Sequence, residues 1–175
     1  MQTTSLVTEA FKASFAPVTD ERTRVLILGS LPGEVSLAKR EYYGNRQNMF
    51  WRLLGDLLGA PLPEGYAERL TALRAAGIGL WDVIGRARRA GSLDANIRDH
   101  EPNALDHLVS RLPSLQAIAF NGSKASVIGR KLLAGRTDAC LVTLPSSSPA
   151  RAMAYVQKLA AWRALEPFLP ARPDG

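Results

Sequence analysis

Cysteine is almost absent from the 175-residue chain, which contains Cys140 alone. A disulfide within the chain is therefore impossible, and an iron–sulfur cluster held by about four thiolates is excluded. The two histidines, His100 and His107, are too few and too badly placed to complete a zinc site with cysteines. Cys140 lies in the segment DACLVTL, whose pattern predicts a buried strand in which the thiol packs as a small hydrophobic group. The sequence therefore predicts neither a metal nor a cofactor.

Long apolar runs are also missing, so the sequence predicts no membrane-spanning helix. The first residues lack the basic start and the continuous apolar core of a signal peptide, and we expect a cytoplasmic protein that makes no membrane contact. Hydrophobic residues make up 46% of the chain and charged residues 22%, as in ordinary globular proteins. We expect one domain over residues 1–170, a disordered tail over 171–175, and a monomer.

Acidic residues are in the minority, and the formal net charge is +6. Most of the positive charge is carried by arginine, whose planar guanidinium suits phosphate groups, and a basic surface attracts polyanions. Chains rich in arginine and alanine also arise from genomic base composition. The charge therefore permits a nucleic-acid partner without proving one.

Short apolar runs alternate with helical patterns along the chain. The runs RVLILG, QAIAF and ACLVTL predict buried strands over 24–29, 116–120 and 139–144. Apolar spacing predicts helices over 48–59 and 67–77, a helix in ALDHLVSRL, and one helix after each of the last two strands, the final one spanning ARAMAYVQKLAAWRALEPFL. The segment IGLWDVI fits either a strand or a turn into a short helix, and the stretch from Gly85 to Asn103 has the composition of a polar loop. This alternation predicts an α/β fold with three α/β/α layers around a central, mostly parallel sheet.

Three loops rich in turn-forming residues follow the predicted strands, namely GSLPG, NGSKA and PSSSPAR. Turn residues are common in such loops, but the carboxyl ends of parallel strands share one edge of the sheet, where ligands bind. The first connection, residues 28–51, is much longer than the usual two to six residues and contains two tyrosines, several amides and a Phe-Trp pair. Aromatic faces and amides suit a planar heterocycle. No nucleophilic triad converges there, and GSLPG fits neither a P-loop nor a dinucleotide fingerprint.

Four blocks of the sequence together carry a family resemblance. The blocks GSLPG…YYGNRQNMFW, GIGLWDV…RAGSLDANI, FNGSKA and LPSSSPAR resemble the uracil-DNA glycosylase superfamily, and specifically its hypoxanthine-DNA (deoxyinosine) glycosylase branch. They occur in the family's order and cover roughly residues 24–152. The resemblance implies a uracil-DNA glycosylase-like α/β fold, with DNA containing a deaminated base as the partner.

The resemblance also implies a reaction. A monofunctional glycosylase flips the deaminated base, here hypoxanthine, out of the duplex and hydrolyses its N-glycosidic bond through an oxocarbenium-like state. Two alternatives remain open from the sequence. Uracil excision could be the main activity, because both bases present a lactam edge. The chain could also be a DNA- or nucleotide-binding module that has lost catalysis.

The residue expected to position water does not follow the usual superfamily pattern. The superfamily usually ends its first motif with G-x-D/N-P, but this chain has Leu31 at that place, and leucine cannot orient water. The hypoxanthine branch places its catalytic amide in the N-x-F-W segment, which points to Asn48, although this residue could instead cap the helix that follows. Asp82 in LWDV is the rival, and it too could simply cap a turn. Asp94 is expected in a surface loop.

Base-binding residues follow from the same resemblance. Asn121 would read the base edge, with an Asn-Gly turn as the plain alternative. Tyr43 and Phe50 would stack the flipped base, or pack in the core, and Gly44 would allow close backbone approach. Another wall of the pocket is expected from Gly29, Ser30 and Leu31.

The block LPSSSPAR resembles the superfamily's last motif, a loop that enters the minor groove and holds phosphates. Leu144 stands where several members carry a histidine, so no imidazole is available there to stabilise the leaving base. The predicted DNA contacts are Ser146, Ser147 and Ser148 through hydrogen bonds, Pro149 and Ala150 as a wedge, and Arg151 at the start of the last helix. A serine-rich helix cap is the alternative interpretation.

Overall fold

A central parallel sheet organises the computed structural model, which describes residues 10–172. Its strands are β2 (Val25–Gly29), β3 (Ile78–Asp82), β6 (Ala117–Asn121) and β7 (Cys140–Leu144), in the order β3-β2-β6-β7. All three neighbouring pairs are parallel. The predicted α/β class and the parallel sheet are confirmed. The segment that was ambiguous at 78–84 begins with a strand, and the predicted tail over 171–175 lies mostly outside the described residues.

Helices cover both faces of this sheet. They are α1 (Glu34–Lys39), α2 (Phe50–Leu58), α3 (Tyr66–Ala75), α4 (Leu105–Ser110), α5 (Ser123–Leu133) and α6 (Tyr155–Trp162), with 3₁₀ turns at Asp94–Asn96 and Arg163–Phe168. Alternate residues of β2 point to opposite faces, so Val25 and Ile27 join one apolar cluster, and Leu26 and Leu28 join the other. The first cluster includes α2, α3 and α6, and the second includes α4 and α5. The three layers are therefore α/β/α.

A second, antiparallel sheet was not predicted. It contains β1 (Phe11–Ala13), β4 (Ile84–Arg88) and β5 (Arg98–Pro102), in the order β1-β4-β5. The prediction of one polar loop from Gly85 to Asn103 is therefore wrong. All five residues of β5 are exposed, and β4 is rich in arginine, so neither strand shows the apolar alternation of a half-buried strand.

Two local predictions near the end of the chain need correction. Cys140 is exposed, because it begins β7, which lies at the edge of the central sheet. The last helix begins at Tyr155, and residues 150–154 are not helical. Arg151 therefore lies in the preceding loop and not at the helix N-terminus. Among the helices described here, none is long and apolar enough to span a bilayer.

Candidate active site

The carboxyl ends of three neighbouring strands bring together residues that are far apart in the sequence. Gly29 ends β2 in register with Asp82, which ends β3, and Asn121 ends β6 on the other side. A Cβ added to Gly29 would lie 2.6 Å from Oδ1 of Asp82 and 3.2 Å from the hydroxyl oxygen of Tyr43. Only glycine therefore fits at the end of β2 without displacing one of these groups. The predicted gathering of residues at one sheet edge is present.

Asn121 joins the loops after β6 and β7. Its Oδ1 accepts a hydrogen bond from the backbone N–H of Ser147 at 2.8 Å, and its Nδ2 donates to Oγ of Ser147 at 2.9 Å. The same Nδ2 also donates to the Tyr43 hydroxyl oxygen at 3.2 Å. Both N–H groups of the amide are thus occupied. Asn121 therefore makes specific side-chain contacts beyond those of a simple Asn-Gly turn.

Tyr43 has an unusual backbone and a well-supported ring. Its φ of 54° lies in the left-handed region, which is costly for a bulky residue and persists only where the surroundings hold it. The ring stacks on Phe50 with centroids 3.7 Å apart and planes 15° from parallel. Trp51 Nε1 donates to the Tyr43 carbonyl oxygen at 3.1 Å. Burial raises the pKa of Tyr43 above its ordinary value, so the hydroxyl keeps its proton. Phe50 is fully buried, so its ring packs in the core, and the prediction that it stacks the flipped base needs correction.

Asp82 is a buried carboxyl group that is not neutralised by a partner. Asp82 is 4% exposed, and its Oδ2 atom has no hydrogen-bond partner among residues 10–172. Burial raises the pKa of Asp82, the negative charge of Asp94 adds to this shift and Arg89 opposes it, and together they place the pKa at about 7. A buried carboxyl with a shifted pKa at the carboxyl ends of parallel strands is a typical sign of a functional residue.

Asn48 lies at the start of α2. Its Oδ1 accepts a hydrogen bond from the backbone N–H of Phe50 at 3.0 Å, so the predicted contribution to the helix start is present. The next residue, Met49, donates its backbone N–H to the carbonyl oxygen of Ser147 at 3.0 Å. The half-buried Asn48 is therefore held next to the loop after β7, and its role in positioning water stays a prediction.

The segment that follows β4 contacts the first loop of the site. Oγ of Ser30 donates to Oδ1 of Asp94 at 2.6 Å. Asp94 was expected in a surface loop, but it is half-buried and belongs to this contact. Leu31 is buried, and its carbonyl oxygen accepts a hydrogen bond from Nη1 of Arg89 at 3.3 Å. Ser30 and Leu31 are therefore fixed from the antiparallel sheet, a connection that the sequence did not predict.

Arg89 is the main residue that the sequence interpretation missed. Its side chain is almost fully buried, and it donates to the carbonyl oxygens of Pro32 and Gly91 as well as Leu31. Burial lowers the pKa of Arg89, and the charges of nearby acidic residues oppose this shift. In the sequence it is one arginine in RARRAG, and nothing in that run distinguishes it from a solvated cation.

Gly44 packs closely against residues of its own connection. A Cβ at this position would meet Lys39, Ser36 and Glu41, all within its own connection. Its backbone N–H donates to Oγ of Ser36 at 2.9 Å, and its carbonyl oxygen accepts from Lys39 Nζ at 3.0 Å. The close approach that Gly44 permits is thus to α1, and its contact with a base stays a prediction.

The loop after β7 separates the three serines. Ser147 is fully buried against Asn121, so in this conformation it cannot reach a DNA phosphate, and the predicted phosphate contact needs correction. Ser146 and Ser148 each accept a backbone hydrogen bond from the residue two positions later. Pro149, Ala150 and Arg151 are exposed and remain candidates for DNA contact.

A buried lysine of α6 is hydrogen-bonded to this loop. Lys158 of α6 is fully buried, and its Nζ donates to the carbonyl oxygen of Ser148 at 2.9 Å. Burial lowers the pKa of Lys158, and the positive charge of Arg151 lowers it further. In the part of the chain that the structure describes, no group of three or more His, Cys, Asp or Glu side chains could hold a metal ion.

Comparisons with known proteins match the chain to one family and to named relatives. A family model described as the uracil DNA glycosylase superfamily matches residues 16–168. A protein of Methanosarcina acetivorans named hypoxanthine DNA glycosylase is 42% identical over 155 residues, which cover 88% of this chain and 97% of the relative. A protein of the same name from Methanosarcina barkeri is 48% identical over 115 residues, which cover 65% of this chain and 73% of the relative.

A solved structure shares the architecture. It is a solution NMR structure of a Methanosarcina acetivorans protein that carries a provisional assignment as a uracil DNA glycosylase. Its TM-score to this chain is 0.80 with 40% sequence identity, over 90% of this chain and 97% of that one. The likeness therefore extends over nearly the whole chain.

Proposed function

The chain belongs to the uracil DNA glycosylase superfamily, and from that premise we propose that it is a base-excision DNA glycosylase that removes hypoxanthine from DNA. The names of the two Methanosarcina relatives support this substrate. The structural observation that carries the proposal is the convergence of Gly29, Tyr43, Asp82 and Asn121 at one edge of the sheet. These groups offer an aromatic face, an amide and a carboxyl group to a planar base.

The flipped base binds against Tyr43, whose ring is held in place by Phe50. Asn121 reads the lactam edge of the base, because its amide can both donate and accept. Since Tyr43 and Ser147 occupy both N–H groups of Asn121, the base edge replaces the Tyr43 bond or uses the second lone pair of Oδ1. Extrusion of the base costs a few kcal/mol, and this cost is smallest for a mispaired base, which favours deaminated sites.

Water then attacks the anomeric carbon as the glycosidic bond breaks. Asn48 is the proposed positioning residue for this water, with Asp82 as the alternative. The Oδ1 atom of Asn48 has a second lone pair beyond its bond to the Phe50 N–H, and its half-buried position gives access to solvent. Leu31 cannot take this role. The reaction needs no metal or organic cofactor, because positioned water and electrostatic stabilisation of the transition state are sufficient.

The exposed residues Pro149, Ala150 and Arg151 contact the DNA strand next to the extruded nucleotide. The hydroxyls of Ser146 and Ser148 are candidates for a neighbouring phosphate, because both residues are only half-buried. The formal net charge of +6 favours approach to DNA. In this proposal the protein works as a monomer in the cytoplasm and makes no membrane contact.

Uracil is the second candidate substrate. The matching family model and the related NMR structure both carry uracil in their descriptions. Uracil and hypoxanthine present similar lactam edges to an amide such as Asn121. The two substrates differ in ring size, so a direct comparison of excision rates decides between them.

An excision assay tests the proposal. Identical duplexes carry a single hypoxanthine, uracil or xanthine, and strand cleavage by alkali after incubation reports the abasic product. We expect the wild type to excise hypoxanthine fastest. Asn48→Ala should lose at least about tenfold in rate, or about 1.4 kcal/mol of transition-state stabilisation, and still bind DNA.

Asn45→Ala is the matched control for this variant. Asn45 lies in the same connection and accepts a backbone hydrogen bond from Gln47 at 3.0 Å, much as Asn48 does from Phe50. It should retain most of the activity. If the wild type released uracil faster than hypoxanthine, uracil would replace hypoxanthine as the proposed substrate. Binding of damaged DNA without release of any base would show that the chain is a binding module.

A further inference from the structure

Asp82 has surroundings that an ionised carboxylate does not tolerate. It is the one acidic side chain among the buried polar residues of the described chain. Oδ2 lacks any hydrogen-bond donor, and no lysine, arginine or histidine within residues 10–172 forms an ion pair with it. Burying an unpaired charge is very unfavourable, so the group instead takes up a proton. The lack of a donor and of a counter-ion therefore favours the neutral carboxylic acid over the carboxylate.

The charged groups around Asp82 do not change this conclusion. Arg89 and Asp94, both from the segment after β4, act on it in opposite directions, and burial has the largest effect. Tyr43 faces it from the connection before α2 and, like Tyr42, keeps its proton because burial raises the pKa of both hydroxyls. The pKa of Asp82 is raised to about 7, so the acid form is substantially populated under physiological conditions.

The position of Asp82 places this acid in the proposed base pocket. Its Oδ1 and the Tyr43 hydroxyl oxygen both lie next to Gly29, at the 2.6 and 3.2 Å already given. Imidazoles are the usual alternative proton donors, but His100 in β5 and His107 in α4 are both exposed side chains. Leu144 occupies the place of the family histidine. Asp82 is therefore the acidic group best placed to reach the base.

We propose that Asp82 is the general acid of this site and gives its proton to the leaving base. This inference rests on the proposed glycosylase function. The bond between the anomeric carbon and the base nitrogen breaks, the electron pair stays on the base, and the Asp82 proton neutralises a ring nitrogen. Water adds to the anomeric carbon and gives up one proton, which restores the acid directly or through solvent. The products are the neutral base and an abasic site.

The proton-donor role predicts a particular pH dependence. The acid form of Asp82 is the active one, so the single-turnover rate of hypoxanthine excision should be level below about pH 6 and fall above pH 7, approaching tenfold per pH unit. Asp82→Asn keeps the size of the side chain but cannot give up a proton in this range. Its rate should be at least about a hundredfold lower at pH 6, and the fall above pH 7 should disappear.

A second variant tests the same acid without replacing it. Asp94→Asn removes a negative charge that raises the pKa of Asp82, so the midpoint of the rate profile should move to lower pH. Asp106→Asn is the control, because Asp106 lies in α4 and forms only an exposed ion pair with Arg136. Its profile should match that of the wild type. Thermal unfolding and binding of damaged duplex show whether each variant is folded.

The outcomes separate this inference from the function on which it rests. A wild type that excises no base contradicts the proposed function itself. A wild type that excises hypoxanthine at a rate that rises with pH through 7 shows that the carboxylate is the active form, and this overturns the proton-donor role. A folded Asp82→Asn variant with the wild-type rate and profile also overturns it.

Discussion

Nδ2 of Asn121 donates a hydrogen bond to the hydroxyl oxygen of Tyr43 at 3.2 Å. This bond joins the end of β6 to the connection that precedes α2, which is 78 residues away in the sequence. Asn121 and Tyr43, both predicted to contact a base, are therefore hydrogen-bonded to each other in the free protein. The Tyr43 ring is already fixed on Phe50 before DNA arrives, so the proposed base pocket is preorganised for stacking.

The ring and the hydroxyl of Tyr43 should contribute differently to activity. Tyr43→Phe keeps the stack on Phe50 and frees one N–H of Asn121 for the base, so the excision rate should stay within a few-fold of wild type. Stability should fall by about 1 kcal/mol with the lost hydrogen bond. Tyr43→Ala removes the stacking face and should lose at least about tenfold in excision. Single-turnover rates and urea unfolding of both variants measure these effects, and equal rates for the two variants would exclude a stacking role.

The three neighbouring serines should differ in their contribution to stability. Ser147→Ala leaves one of the two N–H groups of the buried Asn121 amide without its acceptor at 2.9 Å, and the free energy of unfolding should drop by about 2 kcal/mol. Ser146→Ala is the matched control, because Ser146 is half-buried and accepts only one hydrogen bond, from the backbone of Ser148. It should cost less than half as much. Equal losses in denaturant titrations would show that the Asn121 contact is unimportant.

Two arginines that are three residues apart in the sequence should have opposite effects on stability. Arg89→Met removes the donor for the carbonyl oxygens of Leu31, Pro32 and Gly91, and should destabilise the protein by about 3 kcal/mol. Arg86→Met removes an exposed ion pair with Glu101 and should change stability by less than about 1 kcal/mol. Thermal and urea unfolding of both proteins give the comparison. A smaller loss at position 89 than at 86 would contradict the structural role of the buried guanidinium.

The raised pKa of Asp82 should make stability depend on pH. An aspartate in the unfolded chain titrates near 3.8, whereas the folded protein holds the pKa of Asp82 at about 7. Between these values the folded state binds more protons, so its stability falls as the pH rises. From pH 5 to pH 8 the wild type should lose about 2 kcal/mol more than Asp82→Asn does. Urea titrations at the two pH values check this difference, and parallel behaviour of the two proteins would show that Asp82 is not protonated in the fold.

The sequence predicts the central sheet well because its strands have local signals. The apolar runs of β2 and β6 are fully buried, and the helical spacing of α2 ends at Gly59, whose φ is 84°. The antiparallel sheet has no such signal, because β5 contains only exposed residues. The buried cations were missed for a different reason. Arg89 and Lys158 are paired with backbone carbonyl oxygens from distant segments, and no local pattern encodes such partners.

Some features of the candidate site could likewise be predicted from the sequence, and others could not. The glycines, amides and aromatic residues could be chosen because their loops follow predicted parallel strands. Which side chains are buried could not be read from PSSSP, where three identical residues have different surroundings. The protonation of Asp82 could not be predicted either, because it depends on the tertiary structure, which leaves Oδ2 without a hydrogen-bond donor among the described residues. Contacts of this kind become visible only when the strand ends are brought together.

The location of the base pocket can be tested most directly by adding one methyl group. At Gly29 a Cβ would lie 2.6 Å from Asp82 Oδ1, whereas at Gly33 its nearest neighbour is Oγ of Ser92 at 3.4 Å. Both variants are compared with wild type in single-turnover excision of hypoxanthine, with thermal unfolding as the check on folding. The account predicts that folded Gly29→Ala loses at least about a hundredfold in rate and that Gly33→Ala stays within about threefold of wild type. Wild-type excision by Gly29→Ala, or equal losses in the two variants, would contradict a base pocket at the end of β2.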